Sequence, residues 1–366
     1  MKICYFNGGM DVPSVRFRMP FFEQLQLRGH ECTMLESTPS RYEYYRWIGW
    51  RASEQLRKFI RRRHIARVKR EQFATVVLET GIFHTDDDSF EQQLRSVCGR
   101  LVYEIDDAVF LLFPEKAQAI AAMADRVIAG NQRIAGWAQR FNPCVTVIPT
   151  CVDANLYTEK PYGADRQSTK PVVGWIGSSG NVRKLAICAK ALQEVASERD
   201  FELRVITSDR SAVAELNLTG VDVHWININR CDTVEQLQQL DVGIMPLPDD
   251  DPWMQYKCNA KMIQYMGVGV PAIGSAIGFN CELVQHDVNS MLAANHGEWV
   301  AGLNRLLDSE NLRRRLGQAA RQTVLQSYTV QANTKQYERA ILGSAWNPQT
   351  GAWHPAPDGS KIASDS

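Results

Sequence analysis

The sequence predicts an α/β protein built from two tandem, doubly wound domains. Three observations carry this. Short apolar strands alternate with helical stretches from residue 2 onward, the alternation stops in a polar segment at 157–171, and it restarts at residue 172. The chain has 366 residues, 45% of them hydrophobic, enough for two cores of roughly 150 residues each.

The first domain, expected over 1–156, opens with the strand "KICYF", a helical stretch "RMPFFEQLQLRGH" and the strand "ECTMLES", a βαβ start. Further strands are expected at 74–79, 99–105, 125–130 and 145–149, with helices around 115–125 and over "NQRIAGWAQRF". Strands that alternate with helices form a parallel sheet covered on both faces. After the 157–171 linker, the second domain, expected over 172–330, places strands at 172–177, 201–207, 221–226, 241–247 and 270–275, with a helix around 257–266 before the last of these. Residues 298–326 are helical, 331–346 form a closing helix, and the Pro-, Gly- and Ser-rich tail 347–366 is expected to be disordered. Two Rossmann-like domains of this kind present the carboxyl ends of their strands to a cleft, where open α/β sheets bind ligands.

Composition excludes several classes. Lysine plus arginine balances aspartate plus glutamate at 41 each, so no bulk charge draws the chain to nucleic acid or membrane. No apolar run reaches the roughly 18 to 20 residues of a bilayer span, and "MKICYFNGG" does not have the pattern of a signal peptide. Nine scattered cysteines without C-x-x-C or His/Cys zinc spacing fit a reducing cytoplasm. Local charge is different: residues 46–70 hold ten Lys or Arg and one acid, Glu54, interleaved with Trp47, Trp50 and Phe59. Such a segment suits an anionic membrane surface or a nucleic-acid backbone, and a plain exposed basic helix is the alternative.

The most informative stretch is "KCNAKMIQYMGVGVPAIGSAIGFNCE". A helix that begins near Lys257 offers unpaired N–H groups to a diphosphate, Lys257 and Lys261 add charge one turn apart, and Gln264 lies a turn further on, in reach of a ribose. Solvated surface lysines are the competing reading. In "WIGSSGNVRK", Gly177 and Ser178 permit close backbone approach to phosphate, and Arg183 or Lys184 is placed to pair with it. In "FNGGMDVPSVRFR", Gly8 and Gly9 allow a similar approach in the first domain, while Arg16 and Arg18 are either contacts for an anionic acceptor or surface charges. "EIDDAVF" puts Asp106 and Asp107 at a strand end, where a carboxylate suits proton transfer or a helix cap; one is expected to be functional and the other to cap, in an order the residues leave open. Two triple-aspartate runs, 86–88 and 249–251, read as solvated turns rather than metal ligands.

"DVGIMPL", "KMIQYMGVGVPAIGSAIGFNCE" and "EWVAGLNRLLDSENLRRRLG", with "VVGWIGS", "DRVIAGNQRIA", "VTVIPTCVDANLY" and "VYEIDDAVF" upstream, resemble the retaining family-four glycosyltransferases of GT-B fold over most of the chain. The resemblance implies transfer of a sugar from a nucleoside diphosphate sugar, bound by the second domain, to a glycan or lipid-linked hydroxyl acceptor of cell-surface polysaccharide synthesis. It implies no separate cofactor and no metal, a donor or loop role for Glu282, and a cytoplasmic protein, peripheral on the inner membrane face. The chain departs from the family where two glutamates are usual: Tyr256 and Gln264 stand there, which leaves the donor sugar and the stereochemical outcome open, with Asp249, Asp250 or Asp251 as substitutes for the first. Glycosylation of modified nucleic-acid bases, a non-catalytic sugar-nucleotide binder and an epimerase are the alternatives. DNA affinity without liposome binding, absence of turnover, and isomer formation without acceptor would mark each in turn.

Overall fold

The computed structural model describes residues 1–161, 170–343, 346–347 and 352–353. The chain forms two compact units. The first takes in Met1–Ile105, Val109–Ile148 and the chain from Asn333; the second takes in Asp106–Ala108 and Pro149–Ala332. Most of the linker expected at 157–171 and most of the tail expected to be disordered lie outside the described residues. Trp346, expected in the closing helix, and Asn347, the first residue of that tail, pair antiparallel with Ala352–Trp353.

The first unit contains a six-stranded sheet of β1 (Lys2–Asn7), β2 (Glu31–Glu36), β3 (Thr75–Glu79), β4 (Leu101–Ile105), β5 (Arg126–Ala129) and β6 (Val145–Val147), in the order β2-β1-β3-β4-β5-β6. Every neighbouring pair is parallel. β1, β3 and β4 are nearly continuous runs of buried residues, as strands covered on both faces must be. The order reverses between β1 and β3, so the carboxyl ends of these two strands frame the crevice typical of such sheets.

The first helix runs from Pro13 to Leu27, five residues earlier than the pattern suggested. Pro13 sits at its first turn, where a missing N–H costs nothing, and Pro20 is carried inside it. Val15, Phe21, Phe22 and Leu25 form its buried face, and Arg18 shares that face. The basic segment is a 23-residue helix, Gly49–Glu71, which buries Ser53, Arg57, Arg61, Ile65 and Val68.

The last helix, Val330–Leu342, starts in the second unit and delivers Asn333 onward to the first. There Tyr337 packs on Phe21 with ring centroids 4.5 Å apart and donates its hydroxyl to Glu104 at 3.2 Å, while Glu338 pairs with Arg28 and His30.

The second unit repeats the plan with β7 (Val172–Ile176), β8 (Glu202–Thr207), β9 (Asp222–Asn227), β10 (Val242–Met245), β11 (Ala272–Ser275) and β12 (Met291–Ala293). Its order, β12-β11-β10-β7-β8-β9, is the doubly wound 3-2-1-4-5-6 arrangement, with the switch between β7 and β10. The helices Ala186–Glu198 and His296–Asp308 close one face through Leu192, Val195, Trp299, Leu303 and Leu306. The helical run expected over 298–326 is two helices, because Ser309 adopts an extended conformation and caps Glu310–Ser327 with its hydroxyl.

Candidate functional site

At the switch point of the second unit the ladder between β7 and β10 pairs only Val173 with Val242 and Gly174 with Gly243. Beyond it the hydroxyl of Tyr265 takes over: it accepts from the Ile176 amide at 3.0 Å and donates to the Ile244 carbonyl at 3.4 Å. A side chain at Gly243 would collide with this ring at 2.5 Å, so the glycine is what lets the helix Ala260–Gly267 settle on the opened strands. Burial pushes the Tyr265 phenol well above its ordinary value, which keeps it a neutral hydroxyl.

That seating fixes Lys261, one turn before Tyr265 on the same helix face. Its ammonium lies 5.3 Å from the centroid of the buried Trp175 ring, and a Cβ on Gly177 would stand 2.7 Å from its Cε. Gly177, expected to admit a phosphate, therefore first admits a lysine. Burial, with Lys257 and Lys184 nearby, brings the Lys261 pKa down to about 7; burial and Lys257 bring Lys184 to about 8. Lys257 thus acts on both Lys261 and Lys184, and the three side chains concentrate positive charge in one place.

The helix starts at Ala260, not near Lys257. Asn259 precedes it in the left-handed region, at φ +42°, a conformation asparagine tolerates better than most residues. Its side-chain amide donates to Asn280 Oδ1 at 2.7 Å, and Asn280 donates to the Ser275 carbonyl at 2.9 Å. This tie holds the helix start to the end of β11. Lys257 consequently lies on the turn after a short 3₁₀ helix, Pro252–Tyr256, where its Nζ is 3.7 Å from Asp107 Oδ2.

The remaining expected residues are placed as follows. Arg183 is exposed and Lys184 is the one turned inward, with Met254 Sδ 3.2 Å from its Nζ. Ser178 is exposed and accepts from Asn181. Gln264 is largely buried and donates to the Tyr157 hydroxyl at 2.8 Å, so a ribose would share or displace that bond. Glu282 is exposed on Asn280–Leu283; burial first, and then the Glu282 charge, raises the Tyr328 phenol. Asp106 and Asp107 are half-buried, and Asp107 also accepts from the Ala108 amide. In the acidic runs, Asp251 caps the 3₁₀ helix, Asp87 accepts from Ser89 and Asp88 from Gln92. Among the described residues no cluster of three His, Cys, Asp or Glu is arranged around a metal position.

In the first unit, Gly8 and Gly9 lie at the carboxyl end of β1. Gly9 has φ +111°, and a Cβ there would meet Ser40 Oγ at 2.3 Å. The amide of Gly8 donates to Glu79 at the end of β3, the other strand of that switch point, and a Cβ on Gly8 would meet the Arg41 guanidinium at 2.8 Å. Glu79 also accepts from Ser14, Thr80 and Arg41, at 2.6, 3.1 and 2.8 Å; Arg41 and the hydrogen bonds hold its carboxyl below the ordinary value against the opposing effect of burial. Glu79, Arg41 and Ser14 escaped the sequence reading; the one signal was an acid at the end of the apolar run "TVVLE".

Arg16 and Arg18 part company. Arg16 is exposed, with Asp11 at 3.9 Å. Arg18 corrects the expectation of an acceptor contact or surface charge: it is 2% exposed, pairs with Glu104 at 2.5 Å and donates to the Ile148 carbonyl at 2.9 Å. Arg18 is three residues from Val15 and seven from Leu25, so helix geometry turns it inward.

Residues 170–309, which contain this lysine cluster, match the family described as glycosyl transferases group 1. No curated protein matches the chain. Among solved structures it is similar to sucrose-phosphate synthase from Thermosynechococcus elongatus, at 16% identity and TM-score 0.71 over 93% of this chain and 98% of that one. It is also similar to a glycosyltransferase from Rickettsia africae, at 12% identity and TM-score 0.69 over 94% and 99%. A third is Anabaena HepE in complex with UDP-glucose, at 15% identity and TM-score 0.66 over 93% and 99%. Residues 170–309 are thus similar to the glycosyl transferases group 1 family, and the chain has the GT-B fold of these solved structures.

Proposed function

We propose that the protein transfers a glycosyl group from a nucleoside diphosphate sugar to a hydroxyl acceptor. The observation that carries this is the convergence of Lys184, Lys257 and Lys261 at the β7–β10 switch point, inside the segment matched to the family. In the proposed reaction the acceptor oxygen bonds to the anomeric carbon while the bond from that carbon to the β-phosphate oxygen breaks. The hydroxyl proton passes to Asp106 or Asp107, and the charge left on the diphosphate is met by the three lysines, with Arg183 at the rim. Gly177 and Ser178 would line the phosphates, and Gln264 and Glu282 the remainder of the donor. A uracil nucleotide is the first donor to test, because HepE is described in complexes with UDP and UDP-glucose.

The acceptor side is proposed for the first unit, with Arg16 in reach of an anionic group and Gly8 and Gly9 at the loop. A glycan acceptor of cell-surface polysaccharide synthesis is the proposed class, in keeping with a solved neighbour described as a lipopolysaccharide outer core galactosyltransferase. A cytoplasmic location agrees with nine free thiols. Charge neutralisation by side chains is proposed in place of a metal.

The test is calorimetric titration of the full chain with UDP, GDP, ADP and dTDP in EDTA, followed by transfer assays with the sugar nucleotide of the base that binds. Saturable binding that Lys184→Ala and Lys257→Ala weaken, with sugar appearing on an acceptor, is the expected result. If none of the four binds, the reading is wrong; if binding needs a divalent cation, the metal-free part of it is wrong.

A further inference from the structure

The three lysines of the cluster are held in different ways. Lys261 lies against the Trp175 ring, and Lys184 has Met254 Sδ 3.2 Å from its Nζ; neither contact brings an opposite charge. Lys257 is held by a carboxylate, with Asp107 Oδ2 3.7 Å from its Nζ. Asp106–Ala108 belongs to the second compact unit, so this pair and the other two lysines are parts of one unit.

Two acids bear on the cluster. Burial and Lys257 lower the Lys184 pKa, while Asp251 and then Asp107 raise it. Asp251 is committed to local structure: it accepts from the Trp253 amide at 2.9 Å and caps the 3₁₀ helix. Asp107 makes a 3.2 Å bond to the amide of its own neighbour, Ala108, and its side chain is 37% exposed against 24% for Lys257. Its ion pair is loose beside the buried Arg41–Glu79 pair, which closes to 2.8 Å. A half-exposed pair at this distance contributes little, so a more highly charged anion displaces it at small cost.

We propose that Asp107 is a place-holding anion for the proposed diphosphate site: it pairs with Lys257 until a diphosphate arrives and then gives the lysine up. The inference rests on the glycosyl-transfer reading for the identity of the diphosphate, and on the ion pair for the exchange. Lys257 is suited to the exchange, because it stands on the turn between Pro252–Tyr256 and Ala260–Gly267 and carries its charge on a flexible four-carbon stem. No covalent bond changes. Asp107 acts through Lys257 as a positioning residue, and its effect has a distinctive sign: it is a residue of the site that opposes binding of the ligand.

Titration of the full chain with inorganic pyrophosphate at low ionic strength tests the proposal. It needs no nucleobase, sugar or turnover, so its failure is separate from failure of the glycosyl-transfer reading. Asp107→Asn should tighten binding about fivefold, the reverse of what loss of a ligand contact does. In a Lys257→Ala background, where Lys184 and Lys261 remain, the same substitution should give no gain, whereas plain removal of a negative charge near the anion would still give one. Asp251→Asn takes away the other acid acting on Lys184 and no partner of Lys257, and should change affinity by less than about twofold. Thermal melts of Asp107→Asn should match the parent, since the side chain is half-exposed. Absent, unchanged or weaker binding by Asp107→Asn, the same gain in the Lys257→Ala background, or an equal gain from Asp251→Asn would overturn the proposal.

Discussion

The ammonium of Lys261 lies 5.3 Å from the centre of the Trp175 ring, in the space that Gly177 leaves by having no side chain. Three residues from three positions in the chain thereby define one wall of the proposed diphosphate site. The ring stabilises the cation through its face while burial and two neighbouring lysines oppose the charge, and the opposing effects win, since the pKa falls to about 7.

Lys261 should make nucleotide binding proton-linked. In the free protein near pH 8 much of Lys261 is neutral, and a bound diphosphate favours the ammonium, so binding should take up protons. Calorimetric enthalpies in buffers of different ionisation heat measure the number; Lys261→Met should remove most of it and weaken affinity by about 2 kcal/mol, roughly thirtyfold. The same depression acts on stability. Between about 7 and the ordinary lysine value of 10.5 the unfolded chain binds more protons than the folded one, so stability should rise with pH across that window. Below it the penalty of the buried charge is complete. A Lys261→Met protein whose stability keeps the same slope would contradict this assignment.

Gly177→Ala should separate affinity from folding. The new methyl would stand 2.7 Å from both Lys261 Cε and the Trp175 ring, whereas at Gly180, three residues on, a Cβ meets nothing within 4 Å. Overpacking of this kind costs about 1–3 kcal/mol. Gly177→Ala is expected to lower Tm and nucleotide affinity together, and Gly180→Ala to leave both within error. Equal behaviour of the two variants in thermal melts and titrations would show that the glycine serves no packing purpose.

Arg18 and Arg16 should respond oppositely to removal. Arg18→Met leaves Glu104 as a buried carboxylate without its cation, a loss of about 3–5 kcal/mol, and Glu104→Leu in the same chain should restore part of it. Arg16→Met, on the exposed side of the helix, should leave urea stability unchanged and is the variant to examine for a change in acceptor KM.

Much of the architecture was legible because it is local. Alternation of apolar runs with helical spacing located five of the six strands in the second unit and all six in the first, within a residue or two at most ends. β12 was missed: "MLA" is three residues long and follows a polar turn, too short to show a period. The helix expected from Lys257 begins at Ala260 because Asn259 takes a left-handed conformation held by Asn280, 21 residues away, and no local signal announces that bond.

The candidate site was legible in part. Lys257, Lys261 and Gly177 were singled out by spacing and type, while Lys184 was weighed against Arg183 and only burial separates them. Arg18 was misread because "VRFR" does not reveal where its helix starts. Once the helix runs from Pro13, Arg18 shares a face with Val15 and Leu25, and Arg16 does not.

The sequence by itself determined two parallel α/β units, the glycine stops around the helix at 260–267, and the residue types of the proposed diphosphate site. These follow from backbone preference and side-chain period, which act over a few residues. Only the tertiary structure decided which charges are internal and to which unit the last helix belongs. Gly8 meets Glu79 across 71 residues, and Tyr337 meets Glu104 across 233. Such partners are chosen by burial and by the cost of leaving a polar group unpaired, and both arise only when distant segments pack together.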